Sequence, residues 1–423
     1  MSTFGDKLRA IVGDRNLRNR ILITLGLLAA FRVLAAIPVP GINQAALTQF
    51  FSNNQFFGLL NVFSGGGLSH FSIVMLGVGP YITGTIIMQL LTLLSPRLKS
   101  MYQEEGEAGR MKFTQYSRML TVPLAMVQSF GFITLLSRES IITNLTPLQM
   151  AINIAIVTGG SLLLVWIGER ISEFGIGNGT SLIIFAGIVA SLPQAISQTL
   201  ISFDPSQIPT YALILVGSLV VVYAVVFITE AERPIPVTYA KRVRGNKVYG
   251  GVSTYIPLRL NQAGVIPIIF ALSILLFPQI VFKYLATIHY ALVANASNWI
   301  VNALQNQWTY DILYFILVFA FTYFYTAVTF DPNQLSENLQ KNGAFIPGVR
   351  PGSSTALFIS KIITRLTAFG ALFLGIIAVL PLIIRSVTNQ TSLAIGGTAL
   401  LIVVSVIIDL LKKVEAQVTM KEY

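Results

Sequence analysis

The chain has no cysteine and very little charge. Of its 423 residues, Asp, Glu, Lys and Arg together supply 11%, against 54% hydrophobic residues. The missing cysteine excludes disulfides and thiol chemistry, and is silent on redox compartment. Soluble domains carry about 25% charged residues, so this composition cannot cover a water-facing surface. A soluble enzyme, a disordered chain and a disulfide-stapled secreted module are excluded as main readings. Histidine is scarce too, with only His70 and His289. No motif offers three metal ligands, a nucleophile with its base, or paired catalytic carboxylates in an apolar block. No GxGxxG fingerprint joins a strand to a helix. GIGNG at 175–179 has no lysine after it, and it reads as a tight turn between helices rather than a phosphate loop.

What the chain does have is apolar blocks of roughly twenty residues, the length that crosses hydrocarbon as a helix. Ten spans are expected, at about 21–37, 71–94, 114–136, 148–168, 180–200, 210–229, 260–281, 309–330, 366–384 and 393–411. No Asp, Glu, Lys or Arg occurs between Arg32 and Arg97, and basic clusters recur between later blocks. With ten spans, 24 of the 28 basic residues fall on one side. Arg138, Lys283 and Arg385 fall on the other, and Arg32 snorkels from the outer end of the first span. Positive charge stays inside, so both termini and the segments 95–113, 230–259 and 331–365 are expected to face the cytoplasm. The basic head MSTFGDKLRAIVGDRNLRNR runs into ILITLGLLAAF with no small-x-small cleavage site, so this apolar run reads as a permanent first span.

Two segments are not simple spans. FFGLLNVFSGGGLSH at 56–70 is apolar, too short to cross and broken by three glycines. It reads either as an outer surface loop or as a short re-entrant helix, and the second requires a watery or protein-lined cavity around it. The segment 230–259 is the longest basic loop and should protrude into the cytoplasm. The count also divides evenly, into an N-terminal half at 1–200 with spans one to five and a C-terminal half at 201–423 with spans six to ten. Halves with odd span numbers in a continuous chain are inverted, and inverted halves build a pathway at their interface.

The apolar blocks contain almost no ionisable group. Glu169, Arg170, Glu230, Asp311, Arg385 and Asp409 fall at expected span ends. Prolines and small residues are frequent instead, including Pro80, Pro123, Pro193, Pro267 and Pro381, with Gly77, Gly79 and Gly84 crowding one span. Such residues kink helices and let them approach closely. Gln89, Gln128 and Asn261 read either as interhelical hydrogen bonds or as the lining of a wettable seam.

Several long motifs carry a resemblance. They are FSGGGLS (63–69), GPYITGTIIMQLL (79–91), EGEAGR (105–110), GERISEFGIGNGTSLIIFAGI (168–188), NQAGVIPIIFALSILLFP (261–278), DPNQLSENLQKNGAFIPGVRPG (331–352) and GGTALLIVVSVIIDL (396–410). In these the chain closely resembles the SecY family, the central subunit of the protein-conducting translocation channel, over about 400 of its 423 positions, and it looks most like the cyanobacterial and plastid branch. The resemblance implies an all-α polytopic membrane protein with ten transmembrane helices in two pseudo-symmetric inverted halves and a short re-entrant plug helix at 57–69. The plug positions are Phe63, Ser64, Gly65, Gly66 and Gly67. Val78, Ile82, Ile184, Ile188, Ile269 and Ile402 match the family's pore ring. An aliphatic constriction excludes hydrated ions by dewetting, and the pairs 78/82 and 184/188 each share one helix face. Gln128 and Asn261 match polar positions of a lateral gate between spans two and three on one side and seven and eight on the other. Lys241, Arg242, Arg244 and Lys247 in the first large loop, and Arg350 in the second, match docking positions. Clustered cations there suit the phosphates of ribosomal RNA.

The family further implies SecE-like and SecG-like small membrane subunits, the SecA motor ATPase, the ribosome, and signal peptides and nascent polypeptides as passengers. It implies no cofactor and no catalytic residue. The expected location is the plasma membrane, with the thylakoid membrane added in a cyanobacterial cell. The competing reading is a small-solute secondary transporter. That reading predicts charged groups or unwound segments at mid-membrane, and the charges are missing.

Overall fold

The computed structural model describes residues 14–40, 47, 61, 64, 66–68, 71–138, 141–142, 146–201, 208–239, 242–244, 247–249, 253–286, 291–388 and 391–422. A helix lies over each of the ten expected spans. The first six are α1 (Arg15–Ala36), α2 (Gly79–Leu94), α4 (Gly106–Arg138), α5 (Pro147–Phe174), α6 (Gly179–Ile201) and α7 (Ile208–Glu230). The last four are α8 (Ile266–Leu285), α10 (Gln307–Thr329), α12 (Ser353–Thr388) and α13 (Thr391–Glu422). Three shorter helices lie between them: α3 (Pro96–Gln103), α9 (Ala291–Gln305) and α11 (Pro332–Lys341). Five of the described helices are long and apolar enough to cross a membrane, and four further segments are shorter apolar helices.

Their surfaces fit a lipid solvent. Leu215, Val216, Leu219, Val220 and Phe227 are exposed along α7, and Trp308, Ile312 and Ile316 along α10. A contiguous apolar surface of this kind in water would be an association site; in hydrocarbon it is the expected exterior.

Several boundaries differ from the sequence expectation, and α13 runs to Glu422, eleven residues past the expected end at 411. The second span begins at Gly79 rather than at 71. Residues 71–78 form turns, with Gly77 at φ +59°, and they pair with the chain after α1: the Val39 amide donates to the Phe71 carbonyl at 2.9 Å, and Ile73 to Ile37 at 3.0 Å. Pro80 at the start of α2 lacks an N–H and disfavours helix before it, so apolarity alone overextended the span. The segments 95–113 and 331–365 are not open loops. The first holds α3 and the beginning of α4, and the second holds α11 and the first turns of α12. At about 1.5 Å per residue α12 is about 54 Å long, well beyond a hydrocarbon core of about 30 Å.

The basic segment 230–259 is a β-hairpin. β1 (Glu232–Tyr239) pairs antiparallel with β4 (Ser253–Arg259), and β2 (Arg242–Arg244) pairs with β3 (Lys247–Tyr249) towards its tip. β5 (Ala344–Phe345) joins the other edge of β1, opposite Thr238 and Tyr239 only. Pro234 and Pro236 therefore sit where β1 has a neighbour on one side, and an edge tolerates a residue without an N–H. Ile235, Val237 and Leu258 pack with Ala344, Ile346, Ile359, Ile362 and Ile363 into a small core of their own. The two large basic segments thus form one unit on the projecting end of α12.

Candidate functional site

The six aliphatic residues of the expected ring come from separate places. Val78 caps α2 and Ile82 lies on it, Ile184 and Ile188 lie on α6, Ile269 on α8 and Ile402 on α13. All six are buried and belong to one contiguous apolar cluster with Ile86, Leu275 and Val406. Folding therefore brings residues from four helices together. Each i,i+4 pair presents one helix face to that cluster.

A cavity of about 240 Å³, with both polar and apolar walls, opens beside it, between the N-terminus of α6, the end of α7, the segment 259–266 and the end of α13. Asn178, Ser181, Arg259, Asn261, Gln262, Asp409, Lys412 and Lys413 supply its polar wall. Leu182, Val265 and Val406 line the cavity and also belong to the aliphatic cluster, so the polar space runs down onto the apolar one. Its cations are paired: Lys412 Nζ lies 2.9 Å from Glu230 on α7, Lys413 3.2 Å from Asp409, and Arg259 3.5 Å from Glu232. Sequence reasoning missed this wall. Its one local trace was the Asp409/Lys413 spacing of four, and the Lys412–Glu230 pair spans nearly half the chain.

The turn at 175–179 is a joint between α5 and α6 where amides are taken up by side chains of the protein. Gly177 takes φ +93°, and the Asn178 carboxamide oxygen accepts from the amides of Thr180 and Ser181, capping α6. The Ile176 amide donates to Thr24 Oγ1 of α1 at 3.2 Å, and the Gly179 amide to Ser172 Oγ at 2.9 Å. On the same side of the bundle, Arg118 of α4 is ion-paired with Glu169 of α5.

The seam residues separate. α8 packs against both α2 and α4 along the expected seam. Gln128 is buried on α4, while Asn261 precedes α8 and lines the cavity, its Nδ2 donating to the Gly264 carbonyl at 3.2 Å. The Oδ1 of Asn261 and the Oε1 of Gln89 have no hydrogen-bond partner among the described residues. Asp311 is buried within the second turn of α10, where Gln307 Nε2 donates to it at 3.2 Å.

Of the expected plug, Phe63 and Gly65 lie outside the described residues. Ser64 Oγ donates to the Asn61 carbonyl and accepts from the Leu68 amide at 3.0 Å. Gly66 takes φ +81°, and a Cβ on Gly67 would stand 2.7 Å from Ser72 Oγ. Leu68 packs with Val39, Phe71, Met75 and Phe132 in a second cluster. Ile73 touches both this cluster and the ring cluster, so the two are adjacent. Among the docking positions, Lys241 lies outside the described residues, Arg242 and Arg244 are on β2, and Lys247 is on β3. Arg350 is exposed in a turn between Gly348 (φ +82°) and Gly352 (φ +98°), and its carbonyl accepts from Thr355 Oγ1 at 2.8 Å.

An α-helical bundle with an apolar exterior, a buried aliphatic junction of four helices and a cationic β-unit at one end defines a polytopic membrane protein. The SecY family model matches residues 72–411. Relatives named protein translocase subunit SecY include one from Synechocystis sp., 41% identical over 96% of this chain and 93% of its own, and one from Mycobacterium leprae, 38% identical over 100% and 99%. The chain belongs to the SecY family. Cyanobacterial and mycobacterial relatives stand at comparable identity. Among solved structures, the fold is shared with one described as a protein-conducting channel (TM-score 0.65, 19% identity, 96% of this chain and 93% of that one). It is shared also with Sec61 in a canine ribosome–channel complex (TM-score 0.62, 18% identity, the same coverage).

Proposed function

We infer that this chain is the central subunit of a protein translocase, a multi-pass membrane channel that conducts polypeptides. The carrying observation is that Val78, Ile82, Ile184, Ile188, Ile269 and Ile402 belong to one buried apolar cluster, other members of which, Leu182, Val265 and Val406, line a cavity with polar side chains. A passenger enters the cavity from the cytoplasm and meets the aliphatic ring. No specific bond holds that ring shut, so it yields to an unfolded chain of any sequence. At rest it stays dry and excludes ions. In this reading the plug at 57–69, of which 61, 64 and 66–68 are described, has the role of closing the ring from the outer side. The architecture is two inverted halves, 1–200 and 201–423, parting along the seam where α8 meets α2 and α4. A signal sequence leaves sideways there, because transfer of its apolar surface from water gains about 25 cal/mol per Å².

The chain itself is not catalytic in this reading, and energy comes from a ribosome or a SecA-like motor docked on the cytoplasmic β-unit. SecE-like and SecG-like subunits complete the membrane assembly. The deciding experiment is reconstitution of the chain with such subunits and a motor into vesicles. A precursor bearing a signal sequence should become protease-protected only when the motor is supplied with ATP. Uptake of small solutes without precursor passage would instead favour a transporter.

Topology follows from the 24-to-3 division of basic residues. Single cysteines replacing Lys247 and Asn295 should react with impermeant maleimide from opposite sides of the membrane. Labelling of both from one side rules out the ten-span arrangement. For docking, neutralising Arg242, Arg244 and Arg350 should weaken ribosome or motor binding. It should also flatten the dependence of log affinity on log salt by about 0.7–0.9 for each phosphate that is no longer neutralised. Membrane insertion should be nearly normal, since other cations still set orientation. Unchanged affinity at moderate salt refutes the docking role.

A further inference from the structure

The chain has three tryptophans, Trp166, Trp299 and Trp308. All three are exposed, at 50%, 73% and 67%. Tryptophan on a membrane protein is enriched at the two membrane–water interfaces, where its ring is apolar and its N–H is wet. Trp308 heads the exposed row Trp308, Ile312 and Ile316 on α10. From Trp308 to Thr329, the last residue of α10, the helix runs about 32 Å, enough to cross a hydrocarbon core of about 30 Å. The outer edge of that core therefore lies at Trp308. Trp166 stands two turns from the cytoplasmic end of α5, with the Arg170 guanidinium 5.8 Å from its ring centroid.

The helix α9 lies against this outer edge. It packs on both α8 and α10, and one extended residue, Asn306 (φ −69°, ψ 120°), separates it from α10. Asn306 accepts from the Trp308 amide at 3.1 Å, so the chain turns at that point and α9 does not continue the crossing helix. No ionisable residue other than Tyr310 occurs from Ala291 to Tyr310. Ser297 and Val301 are its buried face, and Leu304 packs on the large apolar cluster. At about 100° per residue, Asn298, Asn302 and Asn295 fall about 100–160° round from Ser297, and Trp299, Ala303, Ala296 and Ile300 about 200–300° round. The asparagines are exposed, as are Ala296 and Trp299. The helix thus has one face on the protein, one amide flank and one uncharged apolar flank, with Trp299 on the boundary between the flanks.

We propose that α9 lies in the outer interfacial layer of the bilayer, with Trp299 at the lipid headgroups and the asparagine flank in water, and so anchors the outer ends of α8 and α10 at fixed depth. The occupant of its apolar flank is lipid. Its height is set by Trp308 three residues beyond its end, and Trp308 begins a row that only hydrocarbon explains. The inference rests on the membrane placement of the chain, not on polypeptide conduction.

The test uses the full chain in vesicles with Trp166→Phe and Trp308→Phe, which leaves Trp299 as the sole tryptophan. Lipids brominated near the headgroup should quench its fluorescence more than lipids brominated near the chain end, since interfacial helices bury about 5–10 Å into the headgroup boundary. Iodide added outside should quench weakly. The companion variant with Trp166→Phe and Trp299→Phe reports Trp308, which should show the same shallow profile. A shallow Trp308 beside a Trp299 quenched fully by iodide and not by lipid would overturn the proposal while leaving the membrane placement intact. Shielding of Trp299 from both quenchers would mean a protein occupant and would overturn it as well.

Discussion

Replacing Ile82, Ile188 and Ile402 together with asparagine should raise the resting ion conductance of the reconstituted channel by about tenfold or more. The three residues come from α2, α6 and α13 and are buried in one cluster. Each asparagine would place an amide among aliphatic neighbours, and an unsatisfied buried amide costs about 1–3 kcal/mol. Water entering the ring would relieve that cost, so the hydrated state gains on the dry one. A shift of only about 1.4 kcal/mol changes the ratio tenfold. The same shift should let weaker signal sequences open the channel. Single-channel recording in planar bilayers measures the leak, and partner binding checks the fold. Leucine at the same three positions keeps the ring apolar and should leave conductance low. If the asparagine variant folds, binds its partners and conducts no more than the parent, these residues do not form the seal. Removal of 60–67 should give a milder, flickering leak, because neighbouring segments partly refill the gap.

The largest expected effect on stability separates two adjacent glycines of α5. A Cβ on Gly160 would stand 1.9 Å from the Ile73 carbonyl oxygen, a backbone atom that cannot swing aside, whereas one on Gly159 would meet nothing within 4 Å. Alanine normally favours a helix over glycine by about 1 kcal/mol. Gly159→Ala should therefore be neutral or gain a few tenths to about 1 kcal/mol. Gly160→Ala should lose about 1–3 kcal/mol or more, because α5 must move off the turn that precedes α2. Gly179→Ala should behave like Gly160→Ala, since its Cβ would fall 1.8 Å from the Gly168 carbonyl oxygen. Thermal unfolding of the detergent-solubilised protein ranks the three variants. Equal midpoints for Gly159→Ala and Gly160→Ala would refute the close approach.

Much of this molecule was legible as pattern. Lack of charge and the length of the apolar blocks specified a lipid-solvated helical chain, because hydrocarbon admits only backbone that satisfies itself locally. The recurrence of Lys and Arg between blocks gave each segment an expected side, which the cysteine-labelling experiment tests. A helix lies over each expected span, although α12 and α13 run more than ten residues beyond theirs at one end. The expectation failed where proline and a left-handed glycine cut a helix that apolarity would have continued, as at 71–78. The motifs from FSGGGLS to GGTALLIVVSVIIDL carried the family. Periodicity alone put Val78 with Ile82 and Ile184 with Ile188 on common faces.

Tertiary structure decided the rest, because side chains of equal hydrophobicity are interchangeable in a pattern and differ only by what they touch. Ile402 looks like any other isoleucine of its helix until folding sets it in the cluster with Ile82, more than three hundred residues away. The cavity wall needed Lys412 beside Glu230 and Asn261 beside α6, neighbours that no local spacing encodes. The basic loop became a hairpin because Ile235, Val237 and Leu258 found Ile359 and Ile363 to pack against. Strand pairing and burial of that kind are gained only when distant segments meet. Composition and periodicity determined the solvent and the helices; only the meeting of separate helices decided which apolar residues are buried together and which stay exposed.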